Sequence, residues 1–328
     1  MTCNCKEMLE NMKNLIENFK CNCCSVEPEP VVAVVVEPEP VVVEPVVEVV
    51  EEPVVEVVEE PLKKIALLIG INYLGSQSEL GGCINDVENM SKMLKEQYGY
   101  QRVIVMSEKS QYPDDHPTRG NILKYTKRFI ELSEKYDQFY FHYSGHGYYI
   151  TDKNDEELDK KDECLVPLDY NKSGFIKDDE LNVIFKNVKS KLIVVIDACH
   201  SATVLDLKYR VDCTSVQLEE TKQDDSYLYS KWSYDFKLSQ NPKYQEKENI
   251  LTISGCRDSQ TSADAWIDNK YQGALSYHFM KALKLNNYNV KIKYLLKDIH
   301  CMLKLGGYEQ KPVLSSGKSI NLEDNFTL

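Results

Sequence analysis

The sequence predicts an α/β fold with a mostly parallel central sheet and helices on both faces. Short apolar runs bounded by glycine or polar residues recur from about residue 62 of the 328-residue chain, as expected for buried strands. Segments with helical periodicity separate these runs, and this alternation favours parallel pairing. Right-handed crossovers would bring the carboxyl ends of the strands to one edge, where open α/β sheets place their functional groups.

The individual elements follow from these patterns. The first strand is predicted at Lys64–Asn72, and the next segment has apolar side chains at 87, 90, 94 and 98, the spacing of a helix that ends at Gly99. Thr118 is expected to open a second helix. Further strands are predicted in RVIVMS, QFYFHYS, KLIVVID and ILTISG, and further helices near DDELNVIFKNV and in GALSYHFMKALK.

Composition divides the chain into three predicted regions. Residues 1–24 form a cysteine-rich leader with a short amphipathic helical pattern. Residues 25–61 contain eleven Glu and no Lys or Arg among repeated Val and Pro, which predicts a disordered, extended linker because prolines break helices and glutamates repel one another. Residues 62–328 form the predicted α/β domain, in which the polar stretch from Lys208 to Glu248 is expected to be a long loop.

Charge and hydropathy exclude several function classes. The formal net charge is −13 at pH 7, but outside the linker the chain is close to neutral and has no basic run, so nucleic-acid binding is not expected. No uncharged apolar stretch of about 18 residues is present, so no membrane span is expected. The first residues do not resemble a signal peptide, and we therefore expect a soluble, intracellular, cytoplasmic protein with reduced thiols.

Two strand ends carry the residues of a cysteine acyl-transfer site. Strand QFYFHY runs into SGHG, which contains His146, and strand KLIVVI runs into DAC, which contains Cys199. A neighbouring imidazole shifts a thiol toward thiolate, and glycines leave backbone N–H groups free to approach an oxyanion. A buried structural cysteine and a core histidine are the ordinary alternative, but both residues end apolar strands in small-residue turns. We therefore predict Cys199 as nucleophile and His146 as general base.

Nine motifs, in order, resemble the catalytic domain of type I metacaspases from about Lys63 to the C terminus. They are ALLIGINYLG, LGGCINDVENM, PTRGNI, FHYSGHG, DECLVPLDY, IKDDEL, IDACHS, SGCRDSQTSADA and GALSYHF. His146 precedes Cys199 by 53 residues, close to the spacing of about 50 in caspases. The resemblance implies a caspase-like (caspase-hemoglobinase) fold and a monomeric cysteine endopeptidase of protein substrates, without an organic cofactor. It also implies an oxyanion hole formed by the backbone amides of Gly147 and Cys199.

The resemblance further implies cleavage after Arg or Lys. The positions similar to the acidic S1 pocket of the family are Cys83, Asp86, Ser144 and Asp197. Two carboxylates beside the dyad would attract a cation and repel an acidic side chain. Taken alone, Asp86 could instead be a first-turn helix residue that interacts with the helix dipole.

Four aspartates match the calcium-binding positions of the family: Asp162, Asp178, Asp179 and Asp206. Carboxylate oxygens gathered from separate loops suit Ca²⁺, which takes six to eight oxygen ligands. Their spacing is not that of an EF-hand, and Asp178 and Asp179 alone would be interpreted as a helix N-terminal pair. Calcium activation is therefore an expectation from the resemblance.

The chain departs from the family pattern at a few positions. Ala202 replaces a common glycine after the nucleophile, and Tyr148 and Tyr149 follow SGHG where small or polar residues are usual. The tyrosines are expected to narrow the cleft or alter preference on the primed side. Lys222 and Lys231, in the stretch expected to be a loop, are the predicted self-cleavage sites of a zymogen.

Two other functions remain open at the level of sequence. One is a catalytically silent caspase-like scaffold that recruits partners through the leader and linker, although retention of both Cys199 and His146 disfavours it. The other is a zinc-binding adaptor built on the leader cysteines, whose spacing differs from paired Cys-x2-Cys knuckles. A prodomain that shields the cleft is a simpler role for the same region.

Overall fold

A computed structural model describes residues 63–151, 161–199, 205–218, 232–244, 246–255 and 263–328. The predicted leader and linker lie outside these residues, as do Ala202, Lys222 and Lys231. Within the described residues, no helix is both long enough and apolar enough to cross a membrane.

The described chain contains fifteen strands and six α-helices. The strands are β1 Lys64–Gly70, β2 Arg102–Ser107, β3 Gln138–Ser144, β4 Gly147–Thr151, β5 Lys161–Leu165, β6 Ile176–Lys177, β7 Lys191–Asp197, β8 Tyr209–Leu218, β9 Trp232–Gln240, β10 Lys247–Ser254, β11 Asp264–Ile267, β12 Lys270–Gly273, β13 Val290–Lys291, β14 Val313–Gly317 and β15 Asn325–Phe326. The helices are α1 Cys83–Tyr98, α2 Arg119–Glu131, α3 Tyr170–Ser173, α4 Asp178–Phe185, α5 Ala274–Leu285 and α6 Ile292–Leu305.

Eight strands form one sheet in the order β2-β1-β3-β7-β10-β14-β8-β9. The first five pair in parallel, whereas β14, β8 and β9 are added antiparallel. The mostly parallel sheet confirms the predicted fold class. All the strands predicted from apolar runs form, and their carboxyl ends meet at one edge.

Alternating side chains of the sheet bury two separate cores. On β1, Ala66 and Leu68 belong to the core beneath α1, α5 and α6. Ile65, Leu67 and Ile69 point to the opposite face and belong to the core with α2 and α4. Burial on both faces explains why these strands are apolar runs without alternation.

The helix ends follow their sequence signals. The Thr118 side chain accepts a hydrogen bond from the Asn121 backbone N–H and caps α2, and Gly99 ends α1 in the left-handed conformation at φ 67°. Both ends confirm the predictions from capping residues.

The prediction of a loop from Lys208 to Glu248 is wrong for much of that stretch. β8 and β9 form an antiparallel hairpin that extends the sheet beyond β14. The hairpin lies toward the edge of the sheet and packs on one face only: in β8 the side chains of Val211 and Cys213 are buried, whereas Thr214 is exposed. A strand with one solvent-exposed face contains many polar residues, and this polar composition led to the prediction of a loop.

Two small sheets stand at the carboxyl edge of the main sheet's parallel strands. β4, β5 and β6 form an antiparallel sheet directly after the end of β3, and β11 and β12 form a hairpin after β10. The two small sheets therefore border the edge at which the predicted catalytic residues lie.

A buried histidine makes stability depend on pH. His142 in β3 is fully buried, and burial lowers its pKa to about 3. Between pH 6.5 and about 3 the unfolded chain binds a proton that the folded chain does not, so the free energy of unfolding decreases as pH falls through that range. The slope from one such group is up to about 1.4 kcal/mol per pH unit.

We expect His142→Gln to reduce the pH dependence of stability. Urea unfolding at pH 7, 6 and 5 should give a smaller loss of unfolding free energy for the variant than for the wild type, each relative to its own value at pH 7. Equal losses would show that His142 does not titrate on unfolding in this range.

Candidate active site

The predicted dyad lies at the ends of two paired strands. β3 and β7 are parallel neighbours in register, with Ser144 opposite Asp197, so His146 and Cys199 follow at the same edge. The Gly145 N–H donates to the carbonyl of Asp197 at 3.3 Å. A Cβ atom on Gly147 would overlap the carbonyl oxygen of Cys199, so the two turns are in direct backbone contact and only glycine fits between them.

The imidazole of His146 is oriented by a main-chain carbonyl. Its Nε2 lies 2.8 Å from the carbonyl oxygen of Ser78, in the loop before α1. A carbonyl can only accept, so this contact places the ring proton on Nε2 and leaves Nδ1 as the basic nitrogen. The Cys199 residue is partly exposed, as a nucleophile that meets a substrate must be.

Two buried tyrosines hold the backbone of His146. The hydroxyl of Tyr73 accepts from the His146 N–H at 3.0 Å and donates to the Val166 carbonyl at 2.7 Å, and its ring lies 4.7 Å from the imidazole. The Tyr143 hydroxyl donates to the His146 carbonyl at 2.8 Å. Tyr73 itself adopts φ 54°, an uncommon backbone conformation for a bulky residue. The tyrosines therefore fix the histidine from both sides.

The four residues predicted for the S1 pocket also come together. The Asp86 carboxylate, from α1, accepts from the Ser144 hydroxyl at 2.7 Å and from the Gly273 N–H at 3.0 Å. Gly273 lies against Asp86 and Asp197 so closely that a Cβ atom there would overlap both carboxylates. Cys83, one helical turn before Asp86, is buried beside them. We call Asp86 and Asp197 the acid pair.

The acid pair places two carboxylates at low solvent exposure, 0% for Asp86 and 4% for Asp197. Burial raises the pKa of Asp86 well above its usual range, and the charge of Asp197 raises it further. Asp197 also accepts from the Ser276 N–H at 2.8 Å, in the first turn of α5, where the helix dipole favours a negative charge. This arrangement concentrates negative potential that a cation would relieve.

A third acid was not identified from the sequence. Asp264 begins β11, and its Oδ2 accepts from the Gly81 N–H at 2.6 Å. Its charge contributes to the raised pKa of Asp86, after the effects of burial and Asp197. In the sequence this residue is visible as an acid within the motif TSADA. The periodicity of the surrounding residues does not predict that it lies beside α1.

Three of the four predicted calcium ligands form a cluster. One carboxylate oxygen from each of Asp162, Asp178 and Asp179 lies within 4.8 Å of the others, and we call these three residues the acid cluster. β5 carries Asp162 and the start of α4 carries the other two. The ammonium group of Lys177 forms an ion pair with Asp162. A set of hard oxygen donors fits Ca²⁺, and Lys177 supplies a positive charge that would compete with it.

Asp206 does not belong to the acid cluster. Its Oδ2 accepts from the Asn182 side chain at 2.9 Å, its backbone has φ 44°, and burial is the main cause of its raised pKa. The charge of Asp179 also raises that pKa, so the two residues interact electrostatically. Among the described residues, Oδ1 of Asp206 is buried without a hydrogen-bond partner.

This sheet, with a thiol and an imidazole at adjacent strand ends, is that of a caspase-like cysteine peptidase. The family model for the metacaspase peptidase C14 domain matches residues 63–208. Metacaspase-1 from Pyricularia oryzae is 33% identical over 80% of this chain and 74% of its own length. Metacaspase-1B from Aspergillus fumigatus is 33% identical over 81% of this chain and 72% of its own length.

The chain belongs to the metacaspase family, and it is therefore a cysteine-type peptidase, a hydrolase of protein substrates. A crystal structure of a Geobacter sulfurreducens protein has the same fold, with a TM-score of 0.52 and 21% identity over 79% of this chain and 95% of its own.

We expect Tyr73→Phe to lower kcat about tenfold with little change in KM. The variant keeps the ring beside His146 but removes the acceptor for its N–H, a loss of about 1 to 1.5 kcal/mol. Steady-state kinetics with a peptide substrate measure both constants. Tyr125→Phe, which removes a hydroxyl bonded to Asp115 away from the site, is the matched control. An unchanged kcat in Tyr73→Phe would show that the Tyr73 hydroxyl does not position His146.

Proposed function

We propose that this metacaspase is a calcium-activated endopeptidase that cleaves after Arg or Lys. The observation that carries the proposal is the acid pair, two buried carboxylates, one in α1 and one at the end of β7, the strand that leads to Cys199. A buried pair of this kind favours a cationic side chain at P1 and disfavours an acidic one.

In the proposed reaction the Cys199 thiolate attacks the carbonyl carbon of the scissile bond. The imidazolium of His146 then gives its proton to the leaving amine as the carbon–nitrogen bond breaks, which leaves a thioester on the cysteine. Water, deprotonated by the neutral imidazole, attacks the thioester and restores the thiolate. The N–H groups of Gly147 and Cys199 are proposed to stabilise the oxyanion in both steps.

Peptides with Arg or Lys at P1 should be cleaved and Asp peptides should not. We would measure release of a fluorogenic amine from all three, with a Cys199→Ala control that should abolish release. Asp86→Asn should reduce kcat/KM for Arg by about a hundredfold, because it removes one buried charge beside the substrate cation. Selective release after Asp would contradict the S1 assignment, and no release under any condition would support the scaffold function instead.

Calcium activation is supported by the chemistry of the acid cluster. Asp162, Asp178 and Asp179, with Asp206 as the further ligand given by family resemblance, would hold the ion. Bound Ca²⁺ would neutralise several carboxylates and draw β5 and the start of α4 together. Since β5 pairs with β4 and β4 begins at Gly147, these same strands connect the cluster to the dyad.

Lys177→Met should increase the affinity for Ca²⁺ severalfold, because it removes the ammonium group that pairs with Asp162. Calorimetry in the Cys199→Ala background would measure binding without proteolysis. Lys172→Met, at an exposed lysine of α3 that does not pair with the acid cluster, should leave the affinity unchanged, and Asp178→Asn should weaken it strongly. Equal affinities in all four proteins would exclude this cluster as the calcium site.

Self-processing between β8 and β9 is also part of the proposal. Lys222 and Lys231 lie outside the described residues, but the strands that flank them support it. β8 runs parallel to β7, and Asp212 is level with Ile196, so Leu218 projects beyond the edge that carries Cys199. Intact mass of active protein, with and without Ca²⁺, would reveal a cut at either lysine.

We further propose that the peptidase is monomeric and acts inside the cell. Pairing of β14 with β8 covers the edge that β14 would otherwise expose, which supports the monomer. A reducing compartment keeps a nucleophilic thiol from oxidation, which supports the location.

A further inference from the structure

Four aromatic side chains form a continuous surface next to the dyad. We call Tyr148, Tyr149, Tyr170 and Phe175 the aromatic patch. The ring of Tyr148 lies 5.8 Å from that of Tyr149 and 5.2 Å from that of Phe175, and Phe175 stacks on Tyr170 at 6.1 Å. The patch brings together β4, α3 and the segment before β6.

The outer part of the patch is open to solvent. Tyr148 is 51% exposed and Tyr149 is 39% exposed, whereas Tyr170 and Phe175 are half-buried beneath them. Large aromatic side chains placed together on a surface mark a recognition site more often than isolated ones do. The inner part reaches the dyad, because Tyr170 lies 6.4 Å from the ring of Tyr73, which contacts His146.

Strand geometry places Tyr148 on the side of the catalytic histidine. The Val166 N–H donates to the His146 carbonyl at 3.2 Å, which continues the β4–β5 ladder back to the histidine. Side chains two residues apart on a strand share a face, so Tyr148 lies on the face of His146, about 7 Å along the chain.

The acid pair has different neighbours from the patch. It lies against Gly273 and Ser276, at the end of β12 and the start of α5. In the reaction His146 gives its proton to the leaving amine, so the departing half of the substrate lies on the histidine side of the nucleophile. Residues that extend from His146 away from the acid pair therefore face the chain after the scissile bond.

We propose that the aromatic patch is a primed-side subsite that prefers aromatic or large apolar residues within the first three positions after the scissile bond. This inference rests on the peptidase activity but not on the preference for Arg or Lys at P1. An extended substrate advances about 3.3 Å per residue, so these positions span the distance from the dyad to Tyr148 and Tyr149. Burying an aromatic side chain against such rings would favour cleavage about tenfold over serine.

A peptide library derived from a proteome, digested with the wild type and read by mass spectrometry, would report both halves of every cleaved bond. We expect Phe, Tyr, Trp and Leu to be enriched after the cut. Matched quenched peptides with Phe or Ser at the enriched position would then give the ratio of their kcat/KM values. That ratio should be about tenfold for the wild type and fall close to one for Tyr148→Ser.

The controls separate this inference from the activity itself. Tyr148→Phe should keep the ratio because the contact depends on the ring, and Tyr112→Ser, at a 60% exposed tyrosine outside the patch, should also keep it. Thermal melting would show that each variant is folded. If Tyr148→Ser does not fold, the same ratio would be measured in Tyr149→Ser. Cleavage without enrichment of aromatic or large apolar residues after the cut would overturn the subsite. An unchanged ratio of kcat/KM values in Tyr148→Ser would also overturn it. The absence of any cleavage would instead overturn the proposed activity.

Discussion

The site depends on the parallel pairing of β3 with β7. Their register sets Ser144 opposite Asp197, and the next residues of both strands then leave the sheet side by side. Both strands are buried on both faces, so a shift in register would move a whole set of apolar side chains out of its core. The core therefore specifies where His146 and Cys199 lie, although neither residue contributes to it.

Glycine makes the close approach of these elements possible. Gly147 allows the histidine turn to meet the carbonyl of Cys199, and Gly273 allows the β11–β12 hairpin to lie on the acid pair. Both glycines have ordinary backbone angles available to other residues, so the requirement is for space. The contact between the two catalytic turns thus depends on the absence of a side chain at Gly147. The packing of the hairpin on the acid pair depends in the same way on Gly273.

Much of this could be predicted from the sequence, and the failures have physical reasons. Apolar runs and cap residues such as Thr118 located the buried strands and α2, because both signals are local. The β8–β9 hairpin was missed because one of its faces is solvated. Asp264 and Tyr73 were missed because their roles depend on contacts with distant parts of the chain, Gly81 and Val166, which no local pattern records.

The metal cluster shows the same limit. Asp162, Asp178 and Asp179 were grouped by family resemblance, and their carboxylates are close together. The ion pair of Lys177 with Asp162 was not expected, since a lysine at a helix start gives no sign of its partner on a neighbouring strand. The local sequence shows which residues are acidic, but it does not predict which cationic side chain pairs with them.

The pairing of β8 with β9 has a consequence for the physical state of a nicked chain. The ladder joins Tyr209 to Gln240 at one end and Leu218 to Trp232 at the other. A break in the connection between these strands would leave both fragments bound by the ladder and by a shared sheet. The nicked protein would migrate as one particle in size-exclusion chromatography and separate into two bands only in denaturant.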